Sequence, residues 1–142
     1  MVRLRSVDHD TVPAASSRTG HLALRRVERQ QALIERLHAA HGDRLRLEDL
    51  AGDLRVSVRT IARDVERLRL SGVPLAIHQG RRGGISLSAT RTAITIELDL
   101  PEAAALMSSL AVLGPSVSNS ASSAMRKLAD ALRTADSTTR RS

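Results

Sequence analysis

"VSVRTIARDVERLRLSG", residues 56–72, decides how this chain is read. Ile61, Val65 and Leu68 recur at steps of four and three, the spacing that gathers side chains on one face of an α-helix. Arg59, Arg63 and Arg67 lie four apart on a different face, with Arg69 beside them. Ser57 stands just before the first turn, where a hydroxyl accepts an otherwise unpaired backbone N–H. Ser71 and Gly72 end the segment, and Pro74 prevents its resumption. The pattern predicts a helix over 57–70, roughly 20 Å long at about 1.5 Å per residue.

Upstream, Leu24, Val27, Ile34 and Leu37 fall at helical spacing between Leu22 and about His41, and Gly42 supplies a stop. "RLRL", residues 44–47, alternates charge and leucine as a short strand does. Leu47, Leu50, Ala51 and Leu54 then mark a brief second helix, so a helix, a tight turn and a helix follow one another. Downstream, "PLAIHQGRRGGISLS" places two short apolar strands around a glycine-rich tip that carries Arg81 and Arg82. Glycine there supplies the positive φ that a hairpin tip demands. A β-wing is expected.

The rest of the chain reads as a tail. "TRTAITIELDL" alternates weakly, as an extended linker would. Asp99 and Glu102 are spaced as a capping box for a helix over 101–113, with Leu106, Leu110 and Leu113 on one side. After the serine-rich "PSVSNSASS", Ala121, Met125, Leu128, Leu132 and Ala135 define a last helix over 118–135. The expected fold is mainly α with a small β-wing (α+β): a winged helix-turn-helix followed by a C-terminal helical hairpin. The expected division is a disordered tail over 1–20, the winged domain over 21–89, a linker over 90–98, the hairpin over 99–136 and a frayed end over 137–142. Two helices packed together bury only part of each apolar stripe. Leu106, Leu110, Met125, Leu128 and Leu132 are therefore expected to form the contact of a homodimer.

Composition narrows the function. The net charge is +7, and Lys127 is the sole lysine, so nearly all the positive charge is arginine. Between Arg55 and Arg82, seven arginines meet only Asp64 and Glu66, which favours a polyanionic partner for this part of the chain. Phe, Tyr and Trp are absent. That argues against readers that stack single-stranded bases on aromatic platforms and leaves duplex binding by charge and shape. Zero cysteines remove disulfides, thiolate catalysis and cysteine zinc sites, and suit a cytoplasmic protein. No apolar run approaches the roughly 20 residues needed to cross a bilayer, so no membrane partner is expected.

"LEDLAGDLRVSVRTIARDVERLRLSGVPLAIHQGRRGGISLS" resembles the winged helix-turn-helix of the DeoR-type and WYL-type (YafY-like) bacterial transcription regulators. The resemblance rests on Leu50-Ala51, Val56-Ser57, Arg59 to Ile61, Arg63-Asp64, Leu68, Gly72 to Pro74 and the Gly83-Gly84 pair, and spans about Arg25 to Ser88. Two positions depart from it: Arg46 stands where a Ser or Thr cap is common, and Ile85 replaces a tyrosine. The resemblance implies a sequence-specific regulator of transcription that binds double-stranded DNA, with the helix over 57–70 in the major groove. The helix pattern assigns Thr60 and Arg63 to base edges, and Ser57, Arg59 and Arg67 to phosphates, with the wing's Arg81 and Arg82 on the backbone or in the minor groove. WYL-type regulators continue into a sensor domain with a Trp-Tyr-Leu signature. The tail from 98 resembles only the helical linker before it, so no small-molecule effector is expected for this chain alone. The competing reading is a winged helix that docks on a protein or an RNA without reading DNA sequence.

Other signals are weaker. His38 and His41 share a helix face, but no third ligand stands at a convincing position, so no metal is expected. "GRRGG" lacks the Lys-Ser/Thr ending of a phosphate-binding loop. No catalytic constellation and no cofactor motif emerge, and the chain does not read as an enzyme.

Overall fold

The computed structural model describes residues 14–88, 93–114 and 117–139. In chain order it contains α1 (Ala14–Ala39), α2 (Leu47–Asp53), α3 (Val58–Leu70), β1 (Leu75–His78), β2 (Gly84–Leu87), α4 (Leu100–Leu113) and α5 (Asn119–Thr139). The expected fold class holds: the described residues form five helices and one small antiparallel sheet. Two boundaries differ from the sequence reading. α1 begins at Ala14, inside the segment read as a disordered tail over 1–20, and α5 runs on to Thr139, past the end expected near Ala135. In both places the chain has no proline or glycine that would interrupt a helix adjoining a strongly periodic one, apart from Gly20. Residues 1–13, 89–92, 115–116 and 140–142 lie outside the described residues, and with them parts of the expected tails, linker and serine-rich loop.

Leu33 and Leu37 of α1, Leu50 and Ala51 of α2, Ile61, Val65 and Leu68 of α3, Leu75 of β1 and Ile85 of β2 form one buried cluster. Each fully buried Leu or Ile contributes about 1.5–3 kcal/mol relative to its exposed state. Branched aliphatic side chains thus close a core that contains no aromatic ring.

The local chemistry that sets the helix ends is largely as expected. Ser57 is the N-cap of α3, its side chain accepting the Thr60 N–H, and Gly72 adopts φ +90° just past the other end. Between α2 and α3 the turn is closed by Val56 N–H donating to the Ala51 carbonyl at 3.0 Å, and Arg55 takes a positive φ of 55°. Arg46, at the N-cap of α2, makes no side-chain capping bond.

β1 and β2 pair in the register Leu75 to Leu87, Ile77 to Ile85 and His78 to Gly84. A third edge is added by Leu45, which exchanges two 2.8 Å backbone hydrogen bonds with Ile85. The short strand expected at 44–47 is therefore one bridge. It seats the wing on the loop between α1 and α2. Gly84 makes this possible: a Cβ there would sit 2.5 Å from the Leu45 carbonyl oxygen.

α4 starts with the expected capping box, in which Glu102 N–H reaches Asp99 at 2.9 Å and Asp99 N–H reaches Glu102 at 2.8 Å. α4 packs on α5, and both touch α1.

Candidate nucleic-acid interface

Successive residues of a helix are roughly 100° apart, so Arg59, Arg63 and Arg67 follow one another around α3 in steps of about 40°. They lie opposite Ile61, Val65 and Leu68, whose burial fixes the helix on the body of the domain. Arg59 and Arg63 are exposed and have no ion-pair partner among the described residues. Leu70, 79% exposed, extends the same face toward the C-terminal end. This is a projecting cationic ridge with free guanidinium groups.

The remaining side chains assigned to this helix are engaged locally. Ser57 and Thr60 hydroxyls lie 2.9 Å apart, and the Ser57 oxygen also receives the Thr60 N–H at 3.2 Å. Arg67 donates to Asp64 at 3.3 Å, and Arg69 to Glu66 at 3.2 Å. Of the arginines on α3, two stand free and two are paired within their own helix.

Asp64 is fully buried, beside the core-facing side of α3. Its carboxylate accepts from Arg29 Nε of α1, from Arg67, and from Gln30 Nε2 at 3.4 Å. A buried carboxylate needs several donors to offset its lost hydration, and these three supply them. Only Arg67 was within reach of sequence reasoning, at three residues' distance. Arg29 lies 35 residues away, and no local pattern links it to Asp64.

At the wing tip, Gly83 N–H donates to the Gly80 carbonyl at 2.9 Å, and a Cβ on Gly83 would come within 2.7 Å of the His78 carbonyl oxygen. This tight turn leaves Arg81 and Arg82 exposed. They border an open cleft of about 660 Å³ whose other side carries Asp43, Arg44 and Arg46. The alternation of Arg44 and Arg46 around Leu45 reads as a strand in the sequence and by itself gives neither arginine a binding role.

In the tail, Leu106, Leu110 and Leu128 line an apolar groove of about 820 Å³, together with Ile94, Ile96 and Leu98 of the preceding extended segment. Met125 and Leu132 are half-buried and do not line it. Ile94 and Ile96 are 90% and 64% exposed, so the linker contributes more apolar surface than its sequence suggested. At the other end, α5 is anchored to α1: Ser120 N–H donates to Glu35 at 2.9 Å, and the Ser118 hydroxyl to Gln31 at 3.2 Å. The Ser120 hydrogen bonds hold the Glu35 carboxyl below the ordinary glutamate range, against the opposing effect of burial.

His38 of α1 and His41 in the turn that follows it stack with ring centroids 6.4 Å apart, and His41 Nδ1 lies 2.6 Å from the Ala39 carbonyl oxygen. Among the described residues no group of three or more His, Cys, Asp or Glu side chains could hold a metal ion, and no helix is long and apolar enough to cross a membrane.

A helix, a tight turn and a second helix with an outward cationic face, followed by a two-stranded hairpin packed on the same core, define the winged helix class. Residues 29–86 match the family model described as an HTH domain and are a DNA-binding helix-turn-helix domain. No solved structure matches the chain.

Proposed function

We propose that this chain is a sequence-specific regulator of transcription, of the DeoR/WYL type, that binds duplex DNA in the bacterial cytoplasm. The observation that carries the reading is the free pair Arg59 and Arg63 on the face of α3 opposite its buried stripe. A guanidinium there can grip O6 and N7 of a guanine with two parallel hydrogen bonds, which makes Arg63 and the neighbouring Thr60 the base readers. Arg59, Arg67 and Ser57 fall to the phosphates, and Arg81 and Arg82 of the wing to the backbone or minor groove. For Thr60 and Ser57 to serve, their mutual hydrogen bond must be shared with or exchanged for a DNA acceptor. The protein acts by occupying DNA, without catalysis.

Residues 21–89 are the DNA-reading module, 90–98 the linker and 99–136 the assembly element. The open apolar groove at Leu106, Leu110 and Leu128 supports a homodimer, whose two α3 helices would address a palindromic site. The test is fluorescence anisotropy of the full chain against randomised duplexes, single strands and RNA, followed by selection of bound sequences. The reading expects enrichment of one duplex motif. Equal binding to RNA and duplex without any enriched motif would favour a docking module instead.

A further inference from the structure

Arg46 occupies the N-cap of α2, where Ser, Thr, Asp or Asn would satisfy an unpaired backbone N–H. It makes no such bond. Its nearest carboxylate, Glu48, is 3.6 Å away, with both side chains more than half exposed, an arrangement that contributes little to stability. Because Leu45 is bridged to Ile85 and turned toward the core, Arg44 and Arg46 on either side of it face outward together. Across the cleft stand Arg81 and Arg82. Arg44, Arg81 and Arg82 have no ion-pair partner among the described residues, and the one carboxylate in the cleft wall is Asp43.

We propose that these four arginines form a phosphate-binding cleft, with Arg44 and Arg46 as backbone contacts additional to the wing tip. Four guanidinium groups around one carboxylate repel one another until an anion enters. Their forked N–H donors suit phosphate oxygens, which they can bind in pairs. The cleft adjoins the wing tip, so a duplex seated against Arg81 and Arg82 carries a phosphodiester over Arg44 and Arg46. This assignment rests on the reading of the chain as a duplex-DNA binder. It explains why a helix start should carry an uncapped arginine: the side chain serves the cleft and not the helix.

The experiment compares the full chain with Arg44→Gln/Arg46→Gln, with Arg46→Ser, and with Arg126→Gln on exposed α5 as a control. Duplex affinity is measured over a series of salt concentrations. For the double variant, the slope of log K against log[salt] should shrink by about one to two units, at roughly 0.9 per phosphate contact, with the preference among sequences unchanged. The control should keep the original slope. Arg46→Ser restores a capping hydroxyl, so its melting temperature should rise while its duplex affinity falls. A loss of affinity caused by misfolding would lower both. Thermal shift with inorganic pyrophosphate separates the two sources of phosphate. Stabilisation that depends on Arg44 and Arg46, with an unchanged duplex slope, would assign the cleft to a free anion and overturn the backbone contact. An unchanged slope and no pyrophosphate effect would overturn the cleft altogether. Failure of the unaltered chain to bind any duplex would instead contradict the proposed function, and the backbone contact with it.

Discussion

Arg29 of α1 pairs with Asp64 of α3, and this contact joins α3 to the longest helix of the domain through a carboxylate with no solvent exposure. The burial is one-sided, since the Arg29 side chain keeps 22% of its surface exposed. Removing the acid leaves a half-buried cation without its partner, whereas removing Arg29 leaves Asp64 with Arg67 and Gln30. Asp64→Ala should therefore cost about 3 kcal/mol, toward the low end for a broken buried pair. Arg29→Ala should cost somewhat less, and Arg67→Ala less again. Urea unfolding of the three variants checks the order. Equal stabilities would mean that the pair does not fix α3.

The pH dependence of the tail should follow Glu35. Its carboxyl is held below the ordinary range chiefly by hydrogen bonds from Ser120. A depressed folded-state pKa means that the charged form favours the docked structure. The contribution is therefore complete above the unfolded glutamate value of about 4.3 and is lost as pH falls through the lower, folded value. The Ser120 amide proton should titrate in that acid window in an NMR pH series, and Glu35→Gln should abolish the titration. A Ser120 resonance indifferent to the substitution would contradict the anchoring of α5 on α1.

Gly84 and Gly80 offer a paired test of the wing. Both have positive φ, but a Cβ at Gly80 meets nothing within 4 Å, while one at Gly84 collides with the Leu45 carbonyl. Gly80→Ala should cost about 1–2 kcal/mol from backbone conformation alone. Gly84→Ala should cost more and should expose the Leu45 and Ile85 amides to hydrogen exchange. Protected amides in Gly84→Ala would show that the bridge is not what seats the wing.

What could be read from the sequence, and what could not, divides by distance along the chain. The Ser57 cap, the Gly72 stop and the Asp99–Glu102 box each depend on residues at most a few positions apart, so a string of letters reveals them. The helical faces of α3 follow from periodicity for the same reason. Arg29 meeting Asp64, and Arg44 and Arg46 meeting Arg81 and Arg82, arise only when α1 and the wing close on a shared core. Ile94 and Ile96 belong to a segment that alternates only weakly, which gives no partner, and the groove they complete needs α4 and α5 in place.

Assembly through that groove is open to a direct measurement. Light scattering at micromolar concentration should give a dimer mass for the full chain. Leu106→Glu/Leu110→Glu, which puts charge on the groove wall, should give a monomer whose far-ultraviolet circular dichroism is unchanged. A monomer mass for the unaltered chain would remove the homodimer from the account.

The central claim is that α3 reads base sequence, and Arg63→Ala measured on a selected duplex and on its scrambled counterpart tests it most directly. Arg63 faces away from the core without an ion-pair partner among the described residues, so its loss should leave folding intact. Affinity for the selected duplex should fall by about 1–3 kcal/mol, with preference relaxed at one base pair. Arg81→Ala, run alongside, should weaken both duplexes alike and reduce the salt slope by about one unit. Indistinguishable losses from the two substitutions on both duplexes would contradict the account, because α3 would then contribute charge and no sequence reading.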